Sequence, residues 1–156
     1  MSLTHLKCRE VQAPIVSSLI REFAKEIGYE KAIEIAKEAI KKDAILSGKM
    51  LAEKFSGNSL SELSTIAKEV WAKDDAMSIR IIKETEEELS FDVTECGYAK
   101  MYERLGLRDL GCILSCDRDF SFLEGFNPSI ELIRTKTIME GKEICDFRYK
   151  VKSPAR

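Results

Sequence analysis

Ile130-Glu-Leu-Ile-Arg-Thr-Lys-Thr-Ile-Met-Glu-Gly-Lys-Glu-Ile-Cys-Asp-Phe-Arg-Tyr-Lys150 decides the fold class. Its first arm, Ile130 to Ile138, is β-branched and alternating, and its second returns from Lys142 to Lys150. Met139-Glu140-Gly141 between them fits a three-residue hairpin loop, with a type I turn and a left-handed Gly141. That loop pairs Thr135 with Cys145, Arg134 with Asp146 and Ile133 with Phe147. One face then carries Ile133, Thr135, Cys145, Phe147 and Tyr149 and packs inward. The other face offers an Arg134–Asp146 cross-strand pair.

Upstream, Leu89, Phe91 and Val93 alternate with Glu88, Ser90 and Asp92, the pattern of a half-exposed strand. It joins the hairpin in an antiparallel sheet of three or more strands. Before residue 74 the period is helical. A first helix spans about 13–27, with Pro14 in its first turn, Ile15, Leu19, Ile20, Phe23 and Ile27 on one face, and Gly28 as its stop. A second spans about 30–55, with a stripe rich in small residues (Ala32, Ala36, Ala39) and with Gly48 as a mild penalty. Ser59-Leu-Ser-Glu62 is a capping box opening a third helix, to about residue 73. Short helices come next over 96–105, ended by Gly106, over 109–116 and over 119–126. The fold class is α+β, one domain over 1–156, with a helical half at 13–73 and an α+β half at 80–150. The tail, Ser153-Pro-Ala-Arg156, has nothing to hold it.

Composition narrows the function classes. The net charge is −2 over 156 residues, with signs mixed along the chain. This argues against a nucleic-acid surface, which needs a basic face. No apolar run approaches the ~18 residues of a membrane span. Met1 to Lys7 lacks the layout of a signal peptide. The expectation is a cytoplasmic protein whose five cysteines are free thiols. Cys112-x-x-x-Cys116 lacks the second ligand pair of a zinc site, so no metal and no cofactor are expected. The small-residue stripe of the long helix suits a close helix partner, and a homodimer is one such arrangement.

Chemistry-bearing residues gather late in the chain, in Cys116-Asp-Arg-Asp119 and Cys145-Asp-Phe147. Cys116 is the candidate nucleophile. The only histidine, His5, is remote in sequence in a frayed terminus, so the thiol lacks a Cys–His dyad. Asp119 or Asp146 then moves protons, and Arg134 anchors a carboxylate. A buried structural Cys116 and an Arg134–Asp146 surface pair remain the plain alternatives.

Cys96-Gly-Tyr-Ala99, Tyr102, Leu105-Gly-Leu107, Leu110-Gly111, Cys116-Asp-Arg-Asp119, Glu124-Gly-Phe-Asn-Pro128, Arg134-Thr135, Met139-Glu-Gly141 and Cys145-Asp-Phe147 stand in an order and spacing that resemble the L-2-amino-thiazoline-4-carboxylic acid hydrolase family. Gly48-Lys-Met-Leu-Ala-Glu53 and Ser59-Leu-Ser-Glu-Leu63 extend the likeness, which spans about 20–149. There is also a distant likeness to 4-vinyl reductase type ligand-binding domains. The resemblance implies a hydrolase that opens a small carboxylate-bearing ring at a C–N or C–S bond. On this reading Cys116, Asp119, Cys145 and Asp146 carry the chemistry. Arg134, Thr135, Cys96 and Tyr98 contact the substrate. The competing reading is a non-catalytic small-molecule-binding or sensor domain, told apart by whether its pocket is polar or apolar.

Overall fold

The computed structural model describes residues 3–153. The tail expected to be loose lies, from Pro154 onward, outside the described residues. The elements in chain order are α1 (His5–Ile27), α2 (Tyr29–Lys54), α3 (Leu60–Ile66), β1 (Met77–Glu84), β2 (Glu88–Cys96), α4 (Gly97–Arg104), α5 (Arg108–Gly111), α6 (Arg118–Phe126), β3 (Ile130–Ile133) and β4 (Cys145–Val151). The fold is α+β. The sheet is antiparallel, in the order β1-β2-β4-β3.

Side-chain caps set the starts of α1 and α3, as Cys96 does for α4. Thr4 accepts from the Lys7 amide and opens α1. The helix therefore begins nine residues before Pro14, which sits inside it rather than in its first turn. Lacking an N–H, Pro14 leaves the Glu10 carbonyl without its helical donor. Ser59 and Glu62 form the expected capping box of α3. Of the α1 face expected to be buried, Ile20 is buried but Ile15, Leu19, Phe23 and Ile27 are exposed, as is Val11. Ala13 and Ser17 face inward with Ile20, and their small size lets α1 lie close to its neighbours.

Two segments widen to i→i−5 hydrogen bonding. The Ala72 amide reaches the Ala67 carbonyl and the Asp117 amide reaches the Cys112 carbonyl, each at 2.9 Å. These π-type turns, Ala67–Trp71 and Cys112–Cys116, replace the ends of the third helix and of the helix expected over 109–116. Such turns carry one extra residue and so redirect the chain beyond them.

The sheet's inner face is Leu89, Phe91 and Val93 of β2 opposite Tyr149, Phe147 and Cys145 of β4. Phe91 and Phe147 stack at 4.9 Å between centroids. β1 has no counterpart in the sequence pattern. Its alternation fails where Ile81 and Ile82 are adjacent, beside a register shift between Ile81 and Lys83.

The hairpin differs from its expected register by one residue. Ile133 pairs with Arg148, not Phe147, and β3 ends there. Beyond Ile133 the Asp146 carboxylate captures the chain, accepting from the Thr135 and Lys136 amides at 2.9 and 2.6 Å and from Thr135 Oγ1 at 2.6 Å. A one-residue slip exchanges faces. Ile133 is therefore exposed, and Arg134 points inward, away from Asp146.

α2 and α6 make the closest helix contact. A Cβ on Gly48 would lie 2.2 Å from the Phe122 carbonyl oxygen, and one on Gly125 would lie 1.9 Å from that of Ile45. Both glycines are therefore steric requirements. Gly48 is more than a helix penalty, and of the small-residue stripe of α2, Ala32 and Ala36 are buried within the chain while Ala39 is exposed. Gly48→Ala should gain about 1 kcal/mol by helix propensity alone. We expect it and Gly125→Ala each to lose about 1–3 kcal/mol in urea denaturation, because overpacking dominates. A gain in stability from either would contradict this contact.

Candidate functional site

Between the sheet and the helices lies a cavity of ≈ 90 Å³. That is room for about six to nine water-sized atoms, taking 10–15 Å³ for each. Its lining is mostly apolar, with Leu51, Trp71, Val93, Phe122 and Phe147 among the walls, and its ionisable groups include His5, Arg9, Arg118, Asp119 and Arg134. Cys96, Tyr98, Cys116 and Cys145 complete the part played by the residues singled out in the sequence. Thr135 and Asp146 are not in this lining. Asp146 spends its oxygens on the 134–136 backbone bend, and Thr135 is turned out with it.

Arg134 comes directly after β3, and its side chain is only 4 % exposed. One guanidinium nitrogen pairs with the Asp119 carboxylate, and Nη2 donates to the Cys116 carbonyl at 3.0 Å. The group lies between the Phe120 and Phe147 rings, 5.0 and 5.1 Å from their centroids. Its Nε is buried without a protein acceptor among the described residues. Burial pushes the Asp119 carboxyl above its ordinary range, against the pull of Arg134. Arg134, expected opposite Asp146, thus pairs in space with Asp119, at the first turn of α6.

The thiols that line the cavity, Cys96, Cys116 and Cys145, are not poised as nucleophiles. Cys116 and Cys112 share a hydrogen bond one turn apart. That bond, burial and Asp119 hold the Cys116 proton firmly in place. Cys112, half-exposed, is drawn down to about 7 by the same bond. Burial raises Cys145 to about 11 and raises Cys96 as well. Among the described residues no group of three His, Cys, Asp or Glu side chains could hold a metal ion. Nor, among the described residues, is any helix long and apolar enough to cross a membrane.

His5 is the residue that sequence reasoning misplaced. The Thr4 cap orders the terminus, and His5 enters the cavity wall with Arg9, one turn later on the same face. His5 Nδ1 lies 2.8 Å from the Tyr98 hydroxyl, which donates to the Trp71 carbonyl at 2.9 Å. His5 Nε2 lies 3.3 Å from Arg9 Nη2. Thr4, immediately before a run of helical period, was the available signal. Arg118 pairs with Asp43 and Arg134 with Asp119, whereas Arg9 has no carboxylate partner among the described residues.

A second cavity, ≈ 240 Å³, adjoins the first through Arg9 and Arg118, which line both. Asp43, Gln12 and Tyr102 also border it.

The chain belongs to the L-2-amino-thiazoline-4-carboxylic acid hydrolase family, whose model matches residues 8–149. No curated protein matches it. Among solved structures it is similar to a trafficking protein particle complex subunit 3 from Naegleria fowleri covalently bound to palmitic acid. The identity is 16 %, the TM-score 0.53, and the match covers 95 % of this chain and 97 % of that one. It is also similar to the phenol-responsive sensory domain of the transcription activator PoxR with phenol, at 11 % identity and a TM-score of 0.54, covering 97 % and 76 %. At these identities the likeness is one of fold.

The site makes two measurements decisive. Burial, Arg9 and Arg118 lower His5 from 6.5 to about 3. Between those values the unfolded chain binds a proton that the folded chain refuses, so stability falls as pH falls. Relative to His5→Gln, wild type should lose up to about 1.4 kcal/mol per pH unit below about pH 6. Equal pH dependence in both would refute the neutral buried imidazole. Alkylation at neutral pH, read out by mass spectrometry, should modify Cys112 well before Cys116, Cys96 or Cys145. Cys116 reacting first would overturn the assignment.

Proposed function

We propose that the cavity binds a compact carboxylate-bearing ring and hydrolyses it at a C–N or C–S bond, with Asp119 as proton carrier and no covalent thiol intermediate. The observation that carries this reading is the charge arrangement of the cavity. Arg9 is a guanidinium without a carboxylate partner among the described residues, and Asp119 is a carboxyl of raised basicity. A 2-aminothiazoline-4-carboxylate presents the complementary pair, an anionic carboxylate and a basic amidine-like group. Arg9, with Arg118 beside it, suits the first, and Asp119 suits the second.

The chemistry asks for a base near a bound water. Asp119 gives one carboxylate oxygen to Arg134, and among the described residues no protein donor reaches the other. That free oxygen can take a proton from water as its oxygen bonds to the carbon between nitrogen and sulfur. One ring bond of that carbon, to sulfur or to nitrogen, then breaks. The departing atom takes the proton back from Asp119. Arg134, fixed between two aromatic rings, keeps the carboxylate aimed throughout. Cys116 and Cys145 act as wall, because nothing nearby ionises them. The cavity volume also favours a compact ring over a long acyl chain.

A second reading is a non-catalytic binding or sensor domain for a small organic acid. The mostly apolar lining supports it, as do the two fold neighbours, described with palmitic acid and with phenol.

Turnover of 2-aminothiazoline-4-carboxylate separates the readings. Wild type should hydrolyse it. Asp119→Asn should lose a hundredfold or more in kcat. Cys116→Ser should stay within about threefold, since a nucleophile's loss would cost far more. Tight binding without turnover would favour the sensor reading. Loss of turnover in a folded Cys116→Ser would restore the thiol as nucleophile.

A further inference from the structure

Hydrogen-bond polarity along one chain of groups assigns a role to two residues that the proposed chemistry leaves idle. The Tyr98 hydroxyl has one proton. Trp71 offers a backbone carbonyl, which only accepts, at 2.9 Å. The Tyr98 proton therefore goes to Trp71. His5 Nδ1, 2.8 Å from the same hydroxyl oxygen, must then be the donor of that pair. A neutral imidazole with its proton on Nδ1 has a bare Nε2, and that lone pair meets Arg9 Nη2 at 3.3 Å. The direction is fixed from end to end, with Arg9 donating to His5, His5 to Tyr98 and Tyr98 to the carbonyl of the π-type turn at Trp71.

The consequence falls on Arg9. Its two side-chain acceptors, His5 Nε2 and Gln12 Oε1 at 3.1 Å, are both neutral. The other two guanidiniums of the cavity face carboxylates, Asp43 for Arg118 and Asp119 for Arg134. Arg9 alone among the three is held in place without being neutralised. A histidine that stays neutral is suited to this work, since an aspartate there would cancel the charge and a protonated imidazole would repel it. The low value of His5, about 3, agrees with that state.

We infer that His5 and Tyr98 are positioning residues that orient Arg9 as the carboxylate-selecting group of the cavity. The ligand class is a small organic carboxylate, and the relay makes the site discriminate an acid from its neutral amide. This rests on the proposed occupancy of the cavity by such an acid. It does not depend on the acid being hydrolysed.

The single histidine makes the relay directly visible. In protein labelled with 15N-histidine, NMR should show the Nδ1-H tautomer, unchanged from about pH 8 to about pH 5. Binding and turnover are then measured with 2-aminothiazoline-4-carboxylate and with its carboxamide. Wild type should bind the acid at least about tenfold more tightly than the amide, as expected for one charge-assisted hydrogen bond. Tyr98→Phe and His5→Phe should reduce that ratio about tenfold, raising KM for the acid more than they lower kcat. His5→Gln, whose side-chain carbonyl can still accept from Arg9, should recover part of it. An Nε2-H tautomer, or titration near pH 6.5, overturns the relay. Equal binding of acid and amide by wild type, or binding of neither, overturns the selecting role. Selective binding of the acid without turnover would leave this inference standing and remove the hydrolase reading alone.

Discussion

The close crossing of α2 and α6 is the contact on which the site depends. Gly48 and Gly125 let two helix backbones meet where side chains would hold them apart. That approach presses α6 onto the helical layer and sets Arg118, Asp119 and Phe122 into the cavity wall. From the other side, the sheet brings Phe147 and Cys145 on its inner face. The cavity is the space left between a tight helix pair and a flat aromatic surface. Within the cavity wall Phe122 meets Trp71 edge-on at 5.2 Å and stacks on Phe126 at 5.4 Å.

Charge inside so small a space needs explanation, because a buried ion costs several kcal/mol unless it is paired. Two of the three guanidiniums meet this cost with carboxylates. Arg134 adds two aromatic faces and a backbone carbonyl. Arg9 instead rests on neutral acceptors. A cavity arranged in this way is better matched to an incoming anion than to a neutral or cationic molecule. The same surroundings that leave Arg9 its charge deny His5 a proton.

Much of the fold was legible because its signals are local. The capping box at Ser59, the alternating strand from Glu88 and Gly141 at positive φ were all expected and are all present. What escaped depended on contacts distant in sequence. The register of β3 on β4 is set by the Asp146 carboxylate binding the 135–136 backbone, which loop length alone does not reveal. That single slip decides whether Arg134 is a surface residue or a cavity residue. The outward row on α1 escaped because helical periodicity reports that a face is apolar, not which way it turns. His5 lies far from the other chemistry in sequence, yet one threonine cap brings it beside a tyrosine 93 residues away. Cys116, Asp119, Arg134 and Cys145 stand out by composition and do share a cavity. Their pairing, Arg134 with Asp119, needed three dimensions.

One cavity, on this account, holds a small organic acid between Arg9 and the Asp119–Arg134 pair. The most direct measurement is a crystal structure of Asp119→Asn soaked with 2-aminothiazoline-4-carboxylate. The account predicts the ligand in the cavity, its carboxylate within hydrogen-bonding distance of Arg9, and its amidine-like group beside residue 119. A ligand bound elsewhere, or a carboxylate seated on Arg134 with Arg9 untouched, would contradict it.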